Sequence, residues 1–183
     1  MKDILMLLLI NFFMKLAVPY YSQHDESLDE HWQKRMCGLV CLKMVLDFYK
    51  VQTPDLKKFL ELALQKEAYH NPNGWIHDKL LEIAKDFGRK NSYRKEKIED
   101  IHELVNFLME NKPVIVSIRA KKFKEEFDGK FHQVVLVGLE RDEQGKILGF
   151  YYHDPDYLNQ EGKNLFVSLE DFEQYWRKMA IFI

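Results

Sequence analysis

Two cysteines are all the chain carries, Cys37 and Cys41, four residues apart. A pair that close on one helix builds no disulfide framework, and it lacks the second pair a structural zinc site needs. The redox compartment is left undetermined by cysteine count. Net charge is also scarce: 27 Lys and Arg against 29 Asp and Glu leave −2, with a pI near 6.4. No field for capturing nucleic acid follows from that balance, and the basic run Lys121-Lys122-Phe123-Lys124 meets Glu125 and Glu126 at once, as a solvated helix or loop does. Missing too are an internal repeat, a low-complexity segment, a domain linker, and any apolar stretch of the ~20 residues that span a bilayer, so no integral membrane domain is expected. What is present, 183 residues with 46% hydrophobic and 14% aromatic content, is enough for one domain with a sizeable core.

The amino terminus has several readings. Ile4 to Met14 is an apolar run interrupted by Asn11, too short for an anchor. As a secretion signal it has a weak basic start, Lys2 offset by Asp3, and no small-x-small cleavage site. The preferred reading sets residues 1–13 apart as an extension and takes Met14 as the start of a domain over 14–183. That reading makes the protein cytoplasmic; the others make it secreted or membrane-associated through residues 1–13.

Arg35 to Tyr49 reads as a helix buried on most of its circumference. Cys37, Cys41, Met44 and Phe48 project on one face, and Lys43, Asp47 and Lys50 form the only polar strip. Cys37 falls in the first turn, where unpaired backbone N–H groups and the positive end of the helix dipole favour a thiolate. It is the candidate nucleophile, while Cys41, one turn on, reads as core.

Around this helix, Leu16 to Tyr21 suggests an edge strand or extended arm broken by Pro19. Thr53-Pro54-Asp55 reads as N-cap, first-turn proline and acid for a helix to about Gln65. Asn71-Pro72-Asn73-Gly74 breaks the chain. Ile76, Leu80, Ile83, Ala84 and Phe87 share a helical face stopped by Gly88, and Ile101, Leu104, Val105 and Leu108 repeat the pattern up to Pro113. The period then changes. Val114–Ile118, His132–Leu139, Ile147–His153, Leu165–Val167 and Met179–Ile183 are β-branched and aromatic runs. Ser168-Leu169-Glu170-Asp171 looks like a capped helix start carrying Phe172, Tyr175 and Trp176 as core. Helices first and an antiparallel sheet second predict an α+β domain.

A cysteine nucleophile needs an imidazole to take its proton, a group to orient the imidazole, and donors for the oxyanion. His132 opens a strand directly after the Asp128-Gly129-Lys130 turn signal, and Asp154 closes the neighbouring strand before Pro155. A hairpin pairing brings the two together. Gln23 precedes the cysteine helix and can aim its amide at the same cleft. His153 competes with His132 as base, but strand alternation sends it to the face opposite Asp154. His24, His31, His70, His77 and His102 read as ordinary surface or half-buried histidines. A metal site from His24, Asp25, Glu26 and His31 has only loop spacing behind it.

The ordered set of Gln23, Cys37-Gly38 opening a helix with Leu42 and Met44, His132-Gln-Val-Val-Leu-Val-Gly138, and Asp154-Pro155 resembles the bacteriocin-processing double-glycine peptidases and their stand-alone relatives. These are papain-like cysteine peptidases. The likeness runs over nearly all of residues 16 to 183, including Gly74-Trp75 and Leu169-Glu-Asp-Phe172. It implies a papain-like fold, Cys37 as nucleophile, His132 as base, Asp154 as its orienter, Gln23 as oxyanion donor, a peptide or protein substrate, and no cofactor. Two departures stand out. Gln23 lies fourteen residues before Cys37, where the transporter-linked members keep six, so Ser27 to Arg35 is an insertion and Gln33 is a rival donor. No transporter region follows in the sequence, which leaves the leader-peptide substrate open.

The expected activity is peptide-bond hydrolysis through a thioester. Two alternatives stand beside it: acyl transfer to an amine by the same triad, as in transglutaminases, and a peptide-binding module without turnover.

Overall fold

The structure, a computed structural model, describes residues 13–71, 74–120, 122–123 and 131–183. The apolar run up to residue 12, the break at Pro72 and Asn73, most of the Lys121–Glu126 charge run and the Asp128–Lys130 turn lie outside the described residues.

The first element is a short strand, β1 (Phe13–Lys15), followed by an extended arm to Gln23. A one-turn helix α1 (Glu30–Gln33) folds the insertion, and α2 (Cys37–Phe48) is the cysteine helix. Next come α3 (Leu56–Gln65), a minimal hairpin β2 (Tyr69–His70) and β3 (Gly74–Trp75), and α4 (His77–Asp86). After β4 (Tyr93–Glu96) and α5 (His102–Met109) the chain turns to sheet: β5 (Val114–Ile118), β6 (His132–Arg141), β7 (Ile147–His153), β8 (Leu165–Ser168), α6 (Leu169–Tyr175) and β9 (Trp176–Phe182).

Among the described residues the main sheet has seven antiparallel strands in the order β4-β9-β5-β6-β7-β8, with β1 also on β6. β5 pairs with β6 from Ile118↔His132 to Val114↔Leu136, and β1 pairs from Lys15↔Gly138 to Phe13↔Glu140. The two strands therefore share one edge of β6 end to end. Both α2 and α5 pack on β6, and every residue from His132 to Leu139 is buried, as for a strand covered on both faces. One contiguous core joins the helical half to the sheet, with Phe59, Phe150, Phe172, Met36, Leu39 and Leu42 wholly buried. Burial of each such side chain is worth roughly 1.5–3 kcal/mol, so the sheet and α2 are bound into one rigid body. No helix of the described residues is long and apolar enough to cross a membrane.

The expected strands and the helix spacings on α4, α5 and α6 appear where periodicity put them. The run at Leu16 to Tyr21 takes the second of its two expected forms, an extended arm, since the strand itself ends at Lys15. Four local features differ. The last strand begins at Trp176, three residues earlier than its β-branched run. Asp55, rather than Thr53, caps α3, accepting from the Lys58 N–H at 2.9 Å. Thr53 is instead drawn to Lys43, whose ammonium also reaches the Pro54 carbonyl at 2.9 Å and Asp47 at 3.1 Å. Lys43 is thus buried and ion-paired to the half-buried Asp47, so of the polar strip only Lys50 is exposed to solvent. Tyr93–Glu96 in β4 has no strand signal in the sequence, because Tyr-Arg-Lys-Glu lacks an apolar face; among the described residues it pairs only with β9.

Candidate active site

Cys37 is the first residue of α2. The preceding Met36 offers no side-chain cap, and the first turn holds no acidic residue, so its backbone N–H groups face the cleft without the usual intramolecular acceptor. Cys37 itself is half-buried, while Cys41, one turn deeper, is buried and donates its thiol to the Gln133 carbonyl at 3.3 Å. Burial, then the neighbouring Cys37 and Asp154, pushes the Cys41 thiol well above its ordinary pKa. Gly38 has to be glycine here: a Cβ would lie 2.6 Å from the Gln133 Oε1 and 2.9 Å from the Trp75 ring.

His132 opens β6 and Asp154 directly follows β7. Antiparallel pairing of the two strands, with Val135 opposite His153, carries the side chains to the same end of the hairpin. His132 Nε2 lies 2.7 Å from Asp154 Oδ1, and Cys37 is close enough to act on the same imidazole; with Nε2 on Asp154, Nδ1 is the nitrogen left for the sulfur. Burial is the largest single influence on the ring and would lower its pKa. The Asp154 carboxylate, by charge and hydrogen bond, and then Cys37 together outweigh it and hold the imidazole well above its ordinary range.

The Asp154 turn is itself fastened. Its carboxylate accepts from the Asp156 N–H at 2.9 Å, its own N–H donates to the Gly162 carbonyl at 2.9 Å, and its carbonyl accepts from the Tyr20 hydroxyl at 3.0 Å. A Cβ at Gly162 would lie 2.0 Å from that Asp154 carbonyl oxygen, so only glycine permits the approach. Ser22 Oγ and Tyr20 also donate to the Tyr157 carbonyl. The arm before the cysteine helix is thereby stitched along the Asp154–Tyr157 turn.

His153 is wholly buried and faces away from Asp154. Its Nε2–H donates to the Val18 carbonyl at 3.1 Å, and its Nδ1 accepts from the Asn164 N–H at 3.1 Å. Only the neutral ring satisfies both bonds, and burial pushes its pKa below the ordinary value. His77, packed against the Gln133 amide at 2.6 Å, is pushed down to about 4 by burial and then by Arg94 and Arg177. Below pH ~6.5 the unfolded chain takes up protons at both positions that the folded chain refuses, so stability falls with pH in that range. His132 acts in a different window. Its raised pKa stabilises the fold fully below ~6.5, and that contribution is lost only as pH rises through the folded value. The thermal midpoint is therefore expected to drop by about 3–6 °C between pH 7 and pH 5, and a His153→Asn variant to show a shallower decline. An equal decline in both proteins would remove His153 from the account.

Gln23 is buried. Its backbone N–H donates to the Pro155 carbonyl at 2.8 Å, and its amide Nε2 donates to Asp156 Oδ1 at 2.8 Å. One amide hydrogen is so engaged; the second has no acceptor among the described residues. Gln33, the rival, gives its amide to the carbonyls of Asp25 at 3.0 Å and Leu28 at 3.1 Å. Both its hydrogens are occupied in folding the insertion. His24 is half-buried, as expected, and its Nε2 lies 2.8 Å from the same Asp156 oxygen. Asp25 accepts from the N–H and hydroxyl of Ser27, and no cluster suited to a metal ion occurs among the described residues. Sequence reasoning named Cys37, His132, Asp154 and Gln23, and passed over Asp156 and Gln133. For Asp156 the available signal was a second acid beside Pro155.

The Peptidase_C39 like family model matches residues 15–181. Among solved structures, a C39-like peptidase from Bacillus anthracis shares 22% identity over 93% of this chain and 98% of its own, with a TM-score of 0.66. A double glycine motif protease from an AMS/PCAT transporter, solved in complex with the leader peptide, shares 19% over 91% of each chain at a TM-score of 0.54. UfSP from C. elegans shares 12% over 94% of this chain and 34% of its own at 0.58. A search of curated proteins gave no significant match. At these identities the solved structures establish the fold, and the family match spans all but the ends of the chain. The chain thus belongs to the Peptidase_C39 like family and is a cysteine peptidase of papain-like α+β fold, related to the double-glycine peptidases.

Proposed function

We propose that the protein hydrolyses a peptide bond with Cys37 as nucleophile, His132 as general base and acid, and Asp154 as the group that orients the imidazole. The observation that carries this reading is the 2.7 Å bond from His132 Nε2 to Asp154 with Cys37 in reach of the same ring. His132 takes the thiol proton, and the thiolate attacks the scissile carbonyl. Negative charge gathers on the carbonyl oxygen, where the Cys37 backbone N–H and the free hydrogen of the Gln23 amide receive it. The imidazolium then protonates the departing amine, leaving a thioester on Cys37. Water, deprotonated by His132, attacks the thioester and releases the acid, which restores the thiol. No cofactor enters these steps.

A peptide is the substrate class. The related double glycine motif protease was solved with a leader peptide, so peptidyl coumarin amides with Gly-Gly before the scissile bond are the first compounds to try, alongside sequences without it. Iodoacetamide tests the nucleophile independently of any substrate. Cys37 is expected to alkylate about 100-fold faster than Cys41, because only Cys37 joins an uncapped helix terminus to a histidine partner. Peptide mapping after timed labelling reads the ratio. Equal rates, or faster labelling of Cys41, would reject Cys37 as nucleophile. Product analysis with added amine then separates hydrolysis from acyl transfer.

A further inference from the structure

Asp156 is 7% exposed and carries no role in the chemistry above, yet it touches both halves of it. Its backbone N–H donates at 2.9 Å to Asp154 Oδ1, the oxygen that also binds His132. Its carboxylate Oδ1 accepts from the Gln23 amide at 2.8 Å and sits 2.8 Å from His24 Nε2. We infer that Asp156 is a positioning residue that sets the orientation of the Gln23 amide and fixes it relative to Asp154.

The inference rests on Gln23 serving as oxyanion donor. A glutamine side chain has several rotatable bonds, and its terminal amide presents a donor at one end and an acceptor at the other. Turned over, it would offer an oxygen where the oxyanion forms and repel it. A carboxylate only accepts, so it can face the nitrogen end of Gln23 and not the oxygen end. That choice directs the second amide hydrogen away from Asp156. A neutral amide in place of the carboxylate would accept either orientation, since Asn can donate as well as accept. His24 keeps the carboxylate in place by sharing Oδ1, and the Gln23 N–H bond to the Pro155 carbonyl at 2.8 Å fixes the backbone from which the amide extends. Gln23 and Asp154 reach the site from opposite ends of the chain, and Asp156 bonds to both.

The test is a double-mutant cycle with p-nitrophenyl acetate, an ester that builds the oxyanion without peptide recognition. Asp156→Asn is expected to lower kcat about 10-fold with KM, the Cys37 alkylation rate and the thermal midpoint near those of the parent protein. Adding it to Gln23→Ala should cost nothing further, because no amide is left to orient. If Asp156→Asn does not fold, Asp156→Ser, which also removes the carboxylate, completes the same cycle. Losses that multiply in the double variant, or full kcat in Asp156→Asn while Gln23→Ala is slow, overturn the role of Asp156 alone. Full kcat in Gln23→Ala overturns the oxyanion reading, and this inference with it.

Discussion

A His132→Ala variant is expected to lose about 10⁵-fold in kcat toward both peptide and ester substrates, which is the scale at which removal of the base disables nucleophile–base pairs. Two consequences combine in this one change. The thiol loses the group that takes its proton, and the leaving amine loses the group that returns it. Asp154 is left as a wholly buried carboxylate whose remaining bond here is the Asp156 N–H, so some loss of stability accompanies the loss of rate. The thermal midpoint separates the two effects. A folded but inactive variant supports the assignment, and a folded variant with full activity sends the base role elsewhere. His153→Asn is the control: its ring bonds the arm and the Asn164 backbone, so it should chiefly move stability.

Much of this site could be read from residue order because each member sits at the end of a regular element. Hydrophobic periodicity identifies β6 and β7, and a helix start identifies α2; the ends of those elements are His132, Asp154 and Cys37. Once two antiparallel strands are joined, their facing ends are determined by register. Gln23 and Asp156 lie on an arm and a turn, where no period operates, and their pairing depends on contacts more than 130 residues apart in sequence. The same reason explains Lys43. Its burial follows from the 53–54 segment folding over α2, a tertiary event that the helical projection of α2 does not contain. β4 escaped because an edge strand paired on one side has no need of an apolar face, and α1 escaped because one turn is too short to show a period.

Replacing Gln23 by Ala is expected to lower kcat by about 100- to 1000-fold with little change in KM, the usual effect of removing one oxyanion donor. Gln23 and Cys37 are fourteen residues apart in sequence. The insertion between them turns back through α1, whose N-cap Asp29 accepts from the Trp32 N–H at 2.9 Å, and Gln33 binds the carbonyls of Asp25 and Leu28 across it. Gln23 meanwhile stays on the arm, tied by backbone and side chain to Pro155 and Asp156. The two glutamines therefore predict different phenotypes. Gln33→Ala frees the insertion and should lower the thermal midpoint while kcat holds; Gln23→Ala should do the reverse. Alkylation distinguishes them again, since iodoacetamide reacts with the thiolate by displacement and forms no oxyanion. Gln23→Ala should thus keep the parent labelling rate at Cys37 while turnover collapses. A rate loss in Gln33→Ala with none in Gln23→Ala would move the donor to Gln33. Parallel loss of labelling and turnover in Gln23→Ala would mean that it acts on the thiolate rather than on the oxyanion.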